Sequence, residues 1–183
     1  MQAQTITPSI YVSILADYNA GRSHGAWIPC DQGEDAALDA IRSLMATSPT
    51  LRQEGRKAGE WAIHDHEGFE GVHISEHEQI DELCALAEAI EEHGPAFAAY
   101  WDYAASGVSV ADCLEQFQEA YQGLYPSLEA WAEEWAEESG LMDEIPQALR
   151  YYFDFERYAR DCEINGDIFS VRVDGELAVF WNR

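Results

Sequence analysis

The chain has 183 residues, of which 47% are hydrophobic and 12% aromatic, and this composition is sufficient for a folded core. Its 35 acidic and 10 basic residues give a formal charge of −25 at pH 7, but the apolar content excludes the composition typical of intrinsic disorder. No apolar run approaches the roughly 20 residues that a membrane span requires, so we expect no membrane partner.

The first part of the chain, residues 1–77, is predicted to be a small α+β domain. Its amino terminus has neither the basic region nor the long apolar region of a secretory signal. A turn is expected at Asp17–Gly21, because Asn and Gly tolerate positive φ. Apolar residues at helical spacing predict a helix over residues 34–46. Alternating or β-rich runs predict strands at residues 10–15, 25–30 and 60–65.

The middle of the chain, residues 78–119, is predicted to be a helical bundle. The spacing of an amphipathic helix is followed by Ile80, Leu83, Cys84, Ala87 and Ile90. Gly94-Pro95 ends this helix, and proline suits the first turn of a second one. A break at Ser106-Gly107 precedes a third helix, whose predicted inner face consists of Val110, Cys113, Leu114, Phe117 and Tyr121.

The last part of the chain, residues 120–183, is predicted to combine helices with a β-hairpin. Ser127 is expected to cap a helix that begins after Pro126 and ends at Gly140. Asp174-Gly175 is a strong signal for a type I′ hairpin turn. Further helical segments are expected at residues 146–153 and 156–164, and strands at residues 168–173 and 176–181.

Together these segments predict an α+β protein with three small domains. The first domain has an antiparallel sheet and a helix, the second a helical bundle, and the third helices with a hairpin. The four cysteines are widely spaced and form no CxxC pair. Cys84 and Cys113 fall on apolar helical faces, where a thiol acts as a small hydrophobe. We therefore expect a reduced, cytoplasmic protein.

The acidic residues are concentrated where basic residues are absent. Residues 58–149, between Lys57 and Arg150, contain 22 Asp and Glu but no Lys or Arg. Like charges held together in a compact state repel one another and destabilise it. A partner that recognises a polyanion would explain such a segment. A salt-adapted proteome is the alternative, and it would spread the acidity over the whole surface.

Helical spacing predicts that most of these carboxylates lie on outward faces. In the helix after Pro126, glutamates repeat at i,i+4, and each such like-charge pair costs a helix about 0.2–0.5 kcal/mol. One face of this kind is explained by solvation alone, but several consecutive helices share the pattern. We therefore expect these side chains to bind a partner. The candidates are Glu76, Glu78, Asp81, Glu82, Glu88, Glu91, Glu92, Asp102, Asp112, Glu115, Glu119, Glu129, Glu133, Glu134, Glu137 and Glu138.

The spacing of these rows is comparable to that of charges along a nucleic-acid backbone. Helical neighbours three or four residues apart lie about 5–6 Å apart at Cβ. Duplex DNA carries about one charge per 1.7 Å of its axis, so a charge of −25 corresponds to roughly 42 Å of duplex. A symmetric dimer would match about twice that length. The rows therefore predict a surface that imitates DNA.

A metal site is a weaker hypothesis, based on histidines in and after the third predicted strand. His64 and His66 are expected on the same side of that strand, and His73 and His77 follow nearby. Their spacing matches no recognised zinc pattern. We therefore expect neither a metal nor another cofactor.

A carboxylate-dependent hydrolase is a second weaker hypothesis. Its acid and base would come from Asp154, Glu156, Asp161, Glu163 and Asp167. Because carboxylates are so frequent in this chain, two of them at a suitable separation carry little information. No serine or cysteine lies in a nucleophile motif, and we expect no catalytic residue.

An aromatic run after Arg150 exceeds what a small domain needs for its core. Core packing is one explanation, and a dimer interface is the other, because aromatic residues are enriched at interfaces. The run consists of Tyr151, Tyr152, Phe153, Phe155 and Tyr158.

Three blocks of the sequence have the order and spacing of a known family. The first comprises Ile10-Tyr-Val, Tyr18-Asn-Ala-Gly21 and Gly25-Ala-Trp27, and the second is Glu60-Trp-Ala-Ile-His-Asp-His-Glu-Gly-Phe69. The third runs from Gly140-Leu-Met-Asp-Glu-Ile-Pro146 through Leu149–Glu156 and Tyr158-Ala-Arg-Asp161 to Gly166. These blocks resemble the ArdA antirestriction proteins of plasmids, phages and conjugative elements, and the third covers the family's antirestriction motif.

The resemblance implies a three-domain, elongated, curved dimer that imitates bent B-form DNA and is not an enzyme. It implies binding to the DNA-binding groove of type I restriction–modification enzymes, with the methyltransferase core as partner and no nucleic acid bound. Such proteins often inhibit modification as well as restriction. The family's dimer contact is C-terminal, in agreement with the aromatic run. Residues 78–119 match the family poorly, so the candidate carboxylates there depend on the charge pattern alone.

Two other functions stay open from the sequence. An acidic binding module or chaperone for another basic DNA-binding protein would bind many cationic proteins with little regard to shape. A hydrolase would lose its activity with a single Asp→Asn substitution, whereas a DNA mimic would lose affinity gradually as carboxylates are removed.

Overall fold

The computed structural model describes residues 6–104 and 107–182, and within them it contains two small antiparallel sheets and ten helices. The predicted α+β class is therefore confirmed. Contacts along the backbone divide the chain into two compact units, Met1–Ala111 and Asp112–Arg183. The layout of three domains stays a prediction.

The first unit contains a three-stranded antiparallel sheet with its first strand in the centre. In chain order its elements are β1 (Ser9–Ile14), α1 (Leu15–Asn19), β2 (Gly25–Pro29), α2 (Glu34–Thr47), α3 (Pro49–Gln53) and β3 (Trp61–Glu67). The sheet order is β2-β1-β3. The three predicted strands and the helix at residues 34–46 are confirmed, with ends that differ by one or two residues.

The centre of this sheet explains one glycine. Ile10, Val12 and Ile14 of β1 are fully buried. Gly25 pairs with Ser13 at the start of β2. A Cβ at Gly25 would lie 2.7 Å from both the Tyr11 ring and the Val12 carbonyl oxygen, so this close approach of two strands requires glycine.

The predicted turn at Asp17–Gly21 is wrong in its first half, because α1 extends to Asn19 and Asp17 is buried. The Asp17 carboxylate accepts hydrogen bonds from the Ser48 hydroxyl at 2.6 Å and the Thr50 backbone N–H at 2.8 Å. Burial alone would raise the pKa of Asp17, but these hydrogen bonds outweigh it and hold the pKa below its ordinary value of 3.8. Asp17 therefore joins α1 to the first turn of α3.

The helical part of the first unit confirms two predicted helices, α4 (Ile80–His93) and α5 (Pro95–Ala104). Gly94 separates them with a φ of +68°. Of the predicted break at Ser106-Gly107, Ser106 lies outside the described residues. The third predicted helix, α6 (Val110–Ala120), begins in this unit. Its Val110 N–H donates to the Glu82 carboxylate of α4 at 2.8 Å.

The second unit contains the other three-stranded antiparallel sheet. Its further elements are β4 (Tyr121–Tyr125), α7 (Leu128–Glu138), α8 (Leu141–Glu144), α9 (Gln147–Arg150), α10 (Phe155–Asn165), β5 (Ile168–Val173) and β6 (Glu176–Trp181). The sheet order is β4-β6-β5. The predicted hairpin is confirmed, and Asp174 and Gly175 both have the positive φ that a type I′ turn requires.

One residue of the predicted inner face of the third helix is misplaced. The helix ends at Ala120, and Tyr121 begins β4, a strand that the sequence did not predict. Tyr121 pairs with Phe180 of β6, and its ring stacks on Phe117 at 4.9 Å. Hydrogen bonds to a distant strand therefore override the helical apolar period at this position.

The predicted helical segment over residues 146–153 is confirmed only in part, because α9 contains only Gln147–Arg150. Asp154 has an extended backbone and caps α10 by accepting a hydrogen bond from the Arg157 N–H at 2.9 Å. The chain must leave the helical conformation before such a cap. Tyr151 and Tyr152 lie in the resulting turn.

The core of the second unit forms where α7 and α10 pack on the sheet, and it consists of Trp131, Ala132, Ala159, Ile168 and Val179. Trp181 extends this core with edge-to-face contacts to Trp131 and Trp135, at ring distances of 5.7 and 4.8 Å. These contacts fix the inner face of α7. None of the helices among the described residues is long and apolar enough to span a membrane.

Candidate acidic interaction surface

The first row of candidate carboxylates lies on α4, whose apolar face is buried. Leu83, Leu86 and Ala87 are at most 2% exposed. The opposite face presents four exposed acids: Asp81, Glu88, Glu91 and Glu92. Asp81 lies in the first turn, where the helix dipole favours negative charge, but Glu91 and Glu92 lie in the last turn, where it does not.

A second group lies beside and after this helix. Glu76 is exposed in the loop before α4, and Asp102 is exposed on α5. On α6, the buried residues Cys113 and Phe117 mark the inner side. The outer side presents Asp112, Glu115 and Glu119, all exposed.

The most regular row lies on α7 in the second unit. Trp131, Ala132 and Ala136 are buried on its inner side. Five glutamates are exposed on its outer side: Glu129, Glu133, Glu134, Glu137 and Glu138. Ser127 accepts a hydrogen bond from the Ala130 N–H at 3.2 Å, which confirms it as the N-cap. The alternation of tryptophan and glutamate along the chain thus becomes a separation between core and solvent.

One glutamate of this row, Glu134, also contacts a residue of strand β4. The Tyr125 hydroxyl has two acceptors within reach of its single O–H, Glu134 Oε1 at 3.1 Å and the Gln122 carbonyl oxygen at 3.0 Å. Burial, together with this carboxylate, raises the pKa of Tyr125 to about 12. Glu134 therefore supports β4 while its side chain remains exposed.

Two candidates differ from the other fourteen. Glu78 and Glu82 are half-buried, whereas the rest of the set is exposed. Glu82 uses one carboxylate oxygen to cap α6 through the Val110 N–H. These two side chains are consequently less available to a flat partner surface than their neighbours.

Three arginines form ion pairs with acids outside the candidate set. Arg42 pairs with Asp39 at 2.6 Å and Arg56 with Glu54 at 3.2 Å. Arg150 pairs with Asp143 at 3.2 Å. None of these three acids belongs to the candidate set. The helices α4 to α7 contain no lysine or arginine of their own, so cations of a partner are the natural counter-charge for their rows.

The aromatic run, for which we considered a dimer interface, is partly exposed and partly packed against the core. Tyr151 and Tyr152 are 90% and 77% exposed. Phe155 and Tyr158 instead pack against the core of the second unit. Sequence reasoning missed Leu149, which is 55% exposed beside the two tyrosines. The sequence could have indicated this exposure, because Leu149 lies in a short predicted helix to which no buried face was assigned.

The histidines are not arranged as predicted. Asp65 pairs with Tyr11 but Ile63 pairs with Val12, so β3 has an irregularity at His64. This bulge interrupts the alternation that would place His64 and His66 on one side of the strand. The His64 ring instead contacts Tyr18 at 4.6 Å. Among the described residues, no group of three or more His, Cys, Asp and Glu is placed to hold a metal ion.

Two of the carboxylates considered for hydrolysis have structural contacts. Asp154 caps α10. Glu163 accepts a hydrogen bond from the Ser170 hydroxyl at 2.7 Å, which links α10 to β5. These contacts give both residues a structural role.

The fold and this surface define a class: an acidic α+β protein whose helices bury apolar faces and expose rows of carboxylates. The model of the family described as antirestriction protein (ArdA) matches residues 10–175. Because this match covers most of the chain, the protein belongs to the ArdA family of antirestriction proteins. Membership implies an interaction with restriction systems. A comparison with curated proteins found no match.

Proposed function

We propose that the protein is a non-catalytic DNA mimic that inhibits type I restriction–modification enzymes by occupying the DNA-binding groove of their methyltransferase core. The observation that carries the proposal is the exposure of fourteen candidate carboxylates on and beside α4 to α7. These four helices contain no lysine or arginine. The exposed acids replace DNA phosphates in contacts with lysine and arginine of the enzyme.

The packing of the helices supports this role, because it holds the carboxylates in place before binding. Each row is opposite a buried apolar face, such as Trp131 and Ala132 behind the α7 glutamates. A side chain on a packed helix loses less conformational freedom on binding than one on a disordered acidic tail. The rows thus combine negative charge with a fixed spacing.

Competition with DNA is the direct test of the proposal. The purified protein is expected to displace labelled duplex DNA from a type I methyltransferase core at low salt. Displacement should weaken as salt is raised, because exposed charges are screened. If the protein fails to displace DNA at low salt, the proposed function is wrong.

Variants with matched charge separate a specific surface from general acidity. Replacing Glu129, Glu133 and Glu137 on α7 by glutamine should weaken competition gradually, by up to about fivefold for each carboxylate. The control replaces Asp31, Glu34 and Asp35, exposed acids outside the candidate set, by the corresponding amides. It makes the same change in net charge and should compete like the wild type. Equal losses in both variants would argue against a defined surface.

The alternative of an acidic chaperone is tested with an unrelated basic DNA-binding protein. A histone-like protein should bind far more weakly than the methyltransferase core at the same ionic strength. Comparable affinity for both would favour the alternative.

We also propose that the homodimer forms through the exposed end of the aromatic run, and the high exposure of Tyr151 and Tyr152 supports this. Large exposed aromatic side chains on a small protein are typical of protein interfaces. Replacing both tyrosines by serine should convert the dimer to a monomer in sedimentation velocity. A wild-type monomer, or a variant that is still a dimer, would refute this part.

A further inference from the structure

The first unit contains a cavity of about 450 Å³ that the rows of carboxylates do not explain. Its volume lies within the range of small-ligand pockets, roughly 300–1,000 Å³. The described residues around it are His73, Ile74, Glu78, Gln79, Glu82, Leu83, Leu86, Trp101, Gly107, Val108, Ser109 and Val110.

The lining of the cavity combines apolar, aromatic and acidic groups. Leu83, Leu86 and Val110 are buried and form its apolar part. Glu78 and Glu82, the two half-buried candidates, contribute carboxylates. None of the described lining residues is lysine or arginine, and the sequence has none between residues 58 and 149. The cavity therefore suits a cation whose body is apolar.

Glu82 is held in a defined orientation within this lining. Its Oε2 atom accepts the Val110 N–H at 2.8 Å. A carboxylate has two oxygens and about four acceptor sites, so the same group can cap α6 and accept a hydrogen bond from a ligand. The cap fixes the side chain beside the cavity, and its partial burial reduces solvent screening of its charge.

Trp101 narrows the chemical class of the ligand. An indole face attracts a cation placed over it. A guanidinium is planar and weakly hydrated, stacks on aromatic rings and bonds carboxylates through two N–H groups, whereas an ammonium is compact and strongly hydrated. The apolar stem of arginine matches the leucine and valine side chains of the cavity.

We propose that this cavity receives one arginine side chain of the partner protein. The source of that arginine rests on the proposed function, which supplies a basic partner. Arginine and tryptophan in a well-packed pocket are the groups that dominate binding energy at interfaces. Glu78 and Glu82 then act as the walls of a specific pocket, whereas the fourteen exposed acids form the rows that replace DNA phosphates.

The first test uses small probes and is independent of the partner. Ethylguanidinium is titrated against ¹⁵N-labelled protein, with ethylammonium as the matched probe, and the indole N–H signal of Trp101 is followed. Ethylguanidinium should shift this signal at lower concentration. Glu82→Gln retains an acceptor for the Val110 N–H and should weaken the binding of ethylguanidinium about tenfold.

Two further variants complete this test. Trp101→Leu removes the indole but also the reporter, so the shift of the Val110 amide is followed instead, and the affinity should fall. Glu88→Gln, an exposed residue of the same helix that does not line the cavity, should bind the probe like the wild type. Equal shifts for both probes, or an equal effect of Glu82→Gln and Glu88→Gln, would overturn the proposal.

The second test repeats the competition with DNA for a type I methyltransferase core. Wild-type competition with a loss about tenfold greater for Glu82→Gln than for Glu88→Gln supports the arginine pocket. Wild-type competition with equal losses overturns the pocket but leaves the proposed function intact. If the wild type does not compete, the proposed function is wrong. The restriction–modification enzyme is then also excluded as the source of the arginine. The probe titration then decides whether the cavity binds a guanidinium.

Discussion

The acidic residues before residue 58 and those between residues 58 and 149 have different surroundings. In the first region Asp17 is buried with two hydrogen-bond donors, and Asp39 and Glu54 pair with nearby arginines. In the second region most acids stand in rows on helices α4 to α7, which contain no lysine or arginine. Residue type is the same in both regions, but the available donors and cations are not.

This difference indicates what each set of carboxylates does. A buried carboxylate with satisfied hydrogen bonds stabilises the fold, because its removal leaves donors without acceptors. A row of exposed like charges on one helix destabilises that helix slightly. Asp17 should therefore be sensitive to substitution in stability measurements, and the exposed rows of the second region in binding measurements.

The largest effect is expected for Asp17→Ala. The substitution leaves the Ser48 hydroxyl and the Thr50 N–H without their acceptor in a buried position. The free energy of unfolding, measured by urea denaturation, should fall by on the order of 3 kcal/mol. Asp31→Ala, at an exposed acid of the same region, is the control and should change it by less than about 0.5 kcal/mol. Similar values for the two variants would contradict the assigned role of Asp17.

The stabilisation by Asp17 should also depend on pH. Its pKa is lowered in the folded protein from an ordinary value of 3.8, so its contribution is fully present above that value. The contribution is lost as pH falls through the lower native pKa. The difference in unfolding free energy between wild type and Asp17→Asn should therefore shrink below pH 3.8. A difference that stays constant down to pH 3 would show that the charge of Asp17 is not what stabilises the fold.

A smaller loss of stability is expected for Tyr125→Phe. Tyr125 contacts Glu134, an acid of the second region that also supports the fold. Removing the hydroxyl deletes the hydrogen bond to Glu134 and should lower the free energy of unfolding by about 1 kcal/mol. The Tyr125 pKa is raised to about 12. Stability from this residue is thus present below its ordinary pKa of 10.0 and is lost as pH rises towards 12.

The alkaline loss gives this variant a second readout. Wild type should lose stability above pH 10 more steeply than Tyr125→Phe, because only the wild type has this ionising group. Tyr18→Phe, at a 59% exposed tyrosine outside the proposed dimer interface, is the control and should follow the wild type. Parallel pH curves for wild type and Tyr125→Phe would refute the raised pKa.

The elements that the sequence predicted well have a local cause. Apolar residues at helical spacing identified α2, α4 and α7, and Asp174-Gly175 identified the hairpin, because period and turn chemistry are properties of neighbouring residues. The strand β4 was missed because its pairing with β6 depends on residues more than fifty positions away. Asp17 was placed in a turn because no local pattern indicates that Ser48 and Thr50 will reach it.

The outward faces of the candidate surface were also predictable from helical spacing. The residues that depart from this pattern were not, because their surroundings depend on distant parts of the chain. The outward position of Glu129 and Glu133 follows from the tryptophans at intervening positions. The partial burial of Glu82 goes with the approach of Val110, which lies on another helix and donates its N–H to the Glu82 carboxylate. The division of the aromatic run depends on Asp154, whose cap for α10 keeps Tyr151 and Tyr152 in an exposed turn.

The smallest effect, and the one of opposite sign, is expected for Glu133→Gln. Glu133 lies one helical turn from both Glu129 and Glu137 on α7, so its neutralisation relieves two like-charge pairs. The free energy of unfolding should rise by about 0.5 kcal/mol at low salt, and the gain should vanish at high salt. Asp102→Asn, at an exposed acid with no acidic residue three or four positions away, is the control and should show no gain.

A substitution that stabilises the protein while weakening its competition with DNA would show that this row is present for the partner, since folding alone would favour its removal. Loss of stability in Glu133→Gln would mean that the row contributes to the fold after all.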